Sequence, residues 1–329
     1  MKLRRRAVLV PLAATLAGSG LARAWAQSRP VRIGYLVNSP LVEPPSAERA
    51  AFIDELGKLG YAIGRNLAIE YRSAENETEF LPQLADELLK LEVDLILATG
   101  DAAALAAKAA STRIPIVFAQ SPDPVGHGLV RSLARPGANV TGLSAMAPDL
   151  AGKRMQLLHE TLPSAKRVAL IWGAESRVIK NDVAASTRAA AQLGLRIEPY
   201  ALSQADQVNL QLERIAKSRP DALFVLADTR MTAYRDIVLD WTRRHNVASV
   251  AGWSDFVRAG GLLSYSPSYA AMFRRSAHYI HRILKGAKPA ELPVEQPTRF
   301  EMVINLNTAK ALGVTIPYAV RLRADEVIE

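Results

Sequence analysis

The sequence predicts an α/β protein of two Rossmann-like lobes, each a set of βαβ units around a parallel sheet, joined by a hinge that the chain crosses more than once. Three observations predict it. The middle of the chain repeats its beginning about 130 residues later. Short runs rich in Val, Ile and Leu alternate with segments of helical spacing, the pattern of strands buried on both faces. A length of 329 residues exceeds one ordinary core and suits two domains.

The repeat is read in order. Residues 31–37 are answered by 167–172, Leu59-Gly60 before 67–71 by Leu193-Gly194 before 195–200, residues 93–98 by 220–226, and 116–123 by 249–255. Taking Arg32 with Arg167, Gly60 with Gly194, Asp94 with Asp221 and Asp123 with Asp255, the offsets are 135, 134, 127 and 132. That period is far longer than the roughly 20 to 50 residues of solenoids, so it reads as a duplicated domain.

Element by element, residues 1–26 are expected to be a cleaved leader. Lys2 and Arg4-Arg5-Arg6 precede an apolar stretch from Ala7 to Leu21, and Ala24-Trp25-Ala26 is a small-x-small signal before Gln27. Pro11, Gly18 and Gly20 interrupt the stretch, which is too short for a membrane span. Arg5-Arg6-Ala7-Val8-Leu9 also resembles a twin-arginine signal, with Val where Phe is usual, so both export routes stay open. After the first strand, Ala51, Phe52, Leu56 and Leu59 share one helix face, and Leu81, Leu84, Leu88 and Leu91 share another. Gly60 and Gly194 are expected C-caps, and Pro115 and Pro220 stand just before strands. Residues 135–144 read as the linkage between copies, and 149–162 as the helix that opens the second. There 183–193, 208–215 and 232–245 supply helices, 260–267 ends a unit, and 269–284 is a further amphipathic helix. The expected first lobe is 27–144 with 263–288, and the second 145–262 with 289–329.

Charge and composition exclude several function classes. The chain carries 41 Lys and Arg against 32 Asp and Glu. Setting aside the five basic residues of the leader leaves 36 against 32, a mild excess with no basic run, which argues against a nucleic-acid partner. Cys is absent, so there is no disulfide, thiol nucleophile or zinc-thiolate site, and no lipid-bearing Cys follows the leader. The five histidines are scattered, only His278 and His281 being helix neighbours, and read as surface or core residues. No Walker loop, Gly-x-Gly-x-x-Gly fingerprint or Gly-x-Ser-x-Gly elbow appears, so neither cofactor nor metal is expected.

Two long motifs carry a family likeness: DPVGHGLVRSLARPGANVTGLS at 123–144, and LKGAKPAELPVEQPTRFEMVINLNTAKALGVTIP at 284–317 with RADEVIE at 323–329. Together they resemble the ABC-transporter substrate-binding proteins that include tryptophan- and tyrosine-binding members. The likeness spans nearly the whole chain from Val31. It implies the type I periplasmic-binding-protein fold and a monomeric, periplasmic receptor. Such a receptor takes a small molecule, an amino acid or aromatic compound being the candidate class, and delivers it to permease subunits at the membrane. Two rivals share the architecture: a sensory ligand-binding module and a cofactor-free enzyme.

Ligands of open parallel sheets lie beyond the carboxyl ends of the strands, near helix N-termini. That rule selects Asn38 and Ser39, Thr99-Gly100-Asp101, and Gln120-Ser121 in the first copy, with Trp172, Asp228-Thr229 and Trp253 in the second. The family usually follows this glycine with Thr or Ser, so Asp101 is a departure. It either faces the cleft, where it disfavours an anion and suits an ammonium, or caps its own helix. Asp228 matches the acidic residue of the family at its turn and is the preferred partner for a cationic group, with capping as the alternative. Trp172 and Trp253 either stack on the solute or pack the seam between lobes.

Overall fold

The structure, a computed structural model, describes residues 29–173, 179–203 and 207–329; the expected leader at 1–26 lies outside the described residues. The first half alternates β1 (Val31–Val37), α1 (Ala47–Lys58), β2 (Leu67–Ser73), α2 (Leu81–Lys90), β3 (Leu95–Thr99), α3 (Asp101–Ala110), β4 (Ile116–Ser121) and β5 (Val140–Ser144). All five strands are parallel, in the order β2-β1-β3-β4-β5.

The second half runs α4 (Ala147–Thr161), β6 (Arg167–Gly173), α5 (Lys180–Gln192), β7 (Arg196–Leu202), α6 (Val208–Ser218), β8 (Ala222–Val225), α7 (Thr229–Ala233), α8 (Arg235–His245), β9 (Ala248–Ala251), α9 (Ser254–Arg258) and β10 (Leu263–Pro267). Its strands repeat the order of the first sheet as β7-β6-β8-β9-β10. The chain closes with α10 (Tyr269–Leu284), β11 (Phe300–Asn305), α11 (Leu306–Ala311), α12 (Tyr318–Arg321) and β12 (Glu326–Ile328); β11 joins β10 antiparallel and β12 extends that edge.

Duplication is visible in contacts as well as order. Asp94 accepts the backbone N–H of Arg32 at 2.7 Å and returns its own N–H to the Arg32 carbonyl; Asp221 makes the same pair with Arg167, at 2.8 Å. Each carboxylate ties the start of a sheet's third strand to the start of its first. Gly60 and Gly194 both adopt positive φ, 90° and 70°, and the following residue bonds back into the helix in each case, Tyr61 to Leu56 and Leu195 to Ala190.

Each sheet is covered on both faces, which is why its strands read as apolar runs. In the first lobe α1 and α10 bury Phe52, Leu56, Phe273 and Ile280 on one face, while α2 and α3 bury Leu81, Leu88, Ala103 and Ala107 on the other. In the second, Met155 and Leu158 of α4 cover one face, and Leu212, Val238 and Trp241 of α6 and α8 the other.

The structure corrects four expectations. Residues 140–144, read as linkage, are the fifth strand of the first sheet. Pro136, Gly137 and Gly142 disguise it as a turn. Gly142 is there because β4 passes so close that a Cβ would stand 2.2 Å from the Phe118 carbonyl oxygen. Residues 263–267, expected in the first lobe, pair with β9 and β11 in the second sheet. Residues 289–299 stay with the first lobe, where Val294 donates to the Leu133 carbonyl and Glu295 bridges to Leu143. The helix expected over 232–245 starts earlier and is divided at Tyr234 into α7 and α8; the Tyr234 hydroxyl donates to the Ser203 carbonyl. The chain therefore passes between the sheets three times: at Ala145–Met146, at Ser268 and near Arg299, where the Ser268 N–H meets the Arg299 carbonyl.

Arg154 pins these passages. Fully buried, it donates to the carbonyls of Tyr265 at 2.8 Å, Ala147 at 3.4 Å and Gly252 at 3.4 Å. Two of those carbonyls flank crossing segments.

Candidate functional site

Because the five repeated strands of each sheet are parallel, each sheet presents their carboxyl ends and the following helix starts at one edge, and the two edges face each other. A cavity of about 780 Å³ lies between them, lined from both lobes. The first lobe supplies Asn38 and Ser39 after β1, Thr99, Gly100 and Asp101 after β3, and Gln120 near the end of β4. From the second come Asp182, Asp228, Trp253 and Asp255, and Tyr269 and Phe273 of α10 complete the wall.

Eight of the eleven expected positions thus meet at one cavity. Ser121 does not line it; its hydroxyl is buried behind the wall without a hydrogen-bond partner. Trp172 turns away and packs on the core of the second lobe beside Leu170 and Leu195. The side chain of Thr229 lies outside the described residues. Trp253 packs edge-on against Phe256, with its indole N–H unpaired.

Asp101 and Asp228 are twins: they stand 127 residues apart, the same spacing that relates Asp94 to Asp221, at the same turn of each lobe. Their surroundings differ. Asp228 is a helix cap, taking the N–H of Met231 at 2.9 Å on one oxygen and that of Gly173 at 2.8 Å on the other. Burial pushes its carboxyl upward against those hydrogen bonds. Asp101 caps nothing, because Gly100, at φ 84°, occupies the cap position and places Asp101 inside the first turn. One of its oxygens meets His127 Nδ1 at 2.5 Å; the other has no protein partner.

Asp182 reaches the cavity from the first turn of α5, in the second lobe. Burial pushes its carboxyl up to about 6; Asp123 and Asp101 add to the rise, and Arg154 and His127 oppose it. Beside it Asn181 donates to Asp123 of the first lobe at 2.7 Å, a hydrogen bond across the mouth of the cleft. At the far side Glu48, from α1, is raised by burial and then by Asp255 across the cleft.

Sequence reasoning missed Asp182 and His127. Asp182 lies in the first turn of α5, nine residues beyond the end of β6 at Gly173, outside the strand-end positions that the carboxyl-end rule selects. His127 was visible inside the 123–144 motif, but only the fold brings that loop over the start of α3.

Known proteins bear on this cleft. The pattern of the family described as ABC transporter substrate binding protein matches residues 39–328. A tyrosine-binding protein of Clostridioides difficile is 28% identical over 292 residues, 88% of this chain and 82% of the relative. The structure superposes on a protein from Streptococcus pneumonia in complex with L-Trp with a TM-score of 0.84 at 26% identity, covering 92% of this chain and all of the other. With the ligand-free, open structure of a Clostridium difficile substrate-binding protein with adhesive properties, the TM-score is 0.66 at 25% identity, covering 91% and 99%. The family pattern covers all but the ends of the chain and the similar structures superpose over nine-tenths of it, so the chain belongs to the ABC transporter substrate-binding protein family.

Proposed function

We propose that the protein is an extracytoplasmic solute receptor: it takes a small molecule into the cleft between its lobes, closes on it without transforming it, and presents the closed form to the permease of an ABC importer. The observation that carries this reading is a cavity lined from both lobes at the carboxyl ends of the parallel strands. A solute bound there touches both jaws only when they are together, so binding favours the closed arrangement by the difference in affinity between closed and open forms. Three passages between the lobes, pinned at Arg154, give that motion a defined axis. The higher similarity to the L-Trp complex than to the open, ligand-free structure supports the described arrangement as the closed one. Among the described residues no helix is long and apolar enough to cross a membrane, which accords with a receptor that meets its permease from outside.

Small-angle X-ray scattering of the purified protein against a panel of solutes tests the reading. A bound solute is expected to reduce the radius of gyration and raise the melting temperature together. Turnover of the solute, or binding with no change of shape, would contradict it.

A further inference from the structure

We infer that the cleft selects a solute by a cationic nitrogen held between Asp101 and Asp182, one carboxylate from each lobe, and that it rejects a solute carboxylate at the start of α3. The inference rests on the receptor reading above and names its substrate class.

Both side chains line the same cavity, are 8% and 5% exposed, and each keeps one buried carboxylate oxygen with no hydrogen-bond partner in the protein. An independent group marks the same place as a binding surface. Asn38, 1% exposed, lines the cavity with neither its amide oxygen nor its amide nitrogen bonded to protein. Buried polar atoms are almost always paired in a folded protein, so three residues with such atoms around one cavity, two from the first lobe and one from the second, point to a polar guest.

Charge decides the sign of that guest. Asp101, Asp182 and Asp123 cluster with Arg154 and His127. Arg154 spends its donors on three backbone carbonyls, and His127 gives Nδ1 to Asp101. Even counting both as cations, three carboxylates exceed them by one. Among the described residues the cavity wall holds five carboxylates against three guanidiniums, in a chain that stays mildly basic, 36 against 32, once the expected leader is set aside. An acidic hollow in a basic protein attracts a cation and repels an anion. The N–H groups at the start of α3 would suit a carboxylate, but the negative charge of Asp101 in that first turn, with one oxygen unbonded, repels an incoming anion.

The test pairs amines with the amino acids that differ from them only by a carboxylate. The unliganded protein is titrated calorimetrically with tyramine, tryptamine, agmatine and putrescine, with L-tyrosine and L-tryptophan, with indole-3-acetate and benzoate, and with glucose. The expected result is binding confined to amines, at least tenfold tighter for an amine than for its amino acid. Asp101→Asn and Asp182→Asn should each weaken the amine at least tenfold while the protein still melts cooperatively. Amine affinity should also fall from pH 7.5 to pH 5, as protons compete for Asp182, whose neighbours are Asp101, Asp123, His127, Arg154 and Tyr269. An amino acid, an anion or glucose binding more tightly than every amine overturns the inference and leaves the receptor reading intact. Amine binding indifferent to both substitutions overturns it equally, and the wild-type amine-to-amino-acid ratio decides the matter if a variant fails to fold. If no solute of any class binds, the receptor reading falls with it.

Discussion

Asp182→Asn should close the empty protein at neutral pH. In the closed arrangement burial raises the Asp182 carboxyl from its usual 3.8 to about 6. A carboxyl with a raised value holds its proton more tightly in that arrangement. Closing is therefore most favourable when the pH is below the usual carboxylate range, and the advantage is lost as pH climbs through about 6. The difference amounts to about 3 kcal/mol at about 1.4 kcal/mol per tenfold change in proton affinity. Above pH 6 that cost opposes closing, on the order of a hundredfold in the equilibrium between open and closed lobes. Asparagine removes the charge but keeps an amide to solvate, so about half of the cost should be recovered. Small-angle scattering on ligand-free protein at pH 5 and pH 7.5 reads the outcome. The wild type should be more compact at pH 5, and the variant equally compact at both. A wild-type radius of gyration unchanged between the two pH values, or a variant that follows the wild type, would refute the reasoning.

Three other substitutions test the frame of the site. Asp228→Ala removes the cap of α7 and the bond to Gly173, and should cost about 1 to 2 kcal/mol in chemical denaturation; no loss would mean that its oxygens are not committed to the backbone. Asp94→Ala and Asp221→Ala should each cost about 1 kcal/mol and add in the double variant, since they tie separate sheets; strong coupling between them would contradict two independent copies. Arg154→Met leaves three buried carbonyls without their donor and should lower stability by about 3 kcal/mol, measured by urea titration, and broaden the distribution of interlobe distances in spin-label measurements. An unchanged distribution would show that the pivot is held elsewhere.

The duplicated α/β plan was legible because it rests on patterns that sequence carries directly: apolar runs of strand length, glycines that end helices, and the paired acids Asp94 and Asp221. The carboxyl-end rule also led to the cavity, since it needs only strand ends: eight of the eleven positions it selected line the wall. Three things escaped. Strand β5 was hidden because Gly142 serves a close approach between strands, yet glycine in a sequence signals a turn. Sequence reasoning favours Asp228 over Asp101 as the cation partner, with capping as the alternative for each; a one-residue difference in where the helix cap falls, which the pattern does not carry, gives the Asp228 oxygens to backbone and leaves Asp101 without that duty. Asp182 and His127 became neighbours of Asp101 only through tertiary placement, Asp182 from the opposing lobe and His127 from a loop 26 residues further along the same lobe.

The twin aspartates have a consequence for how such a receptor diversifies. One copy of the ancestral turn fastens a helix and a strand end, work that any descendant must preserve whatever it carries. The other copy is released from that duty by the glycine before it. On the proposed receptor reading, cargo preference drifts through a single codon on one jaw while its counterpart keeps the scaffold intact.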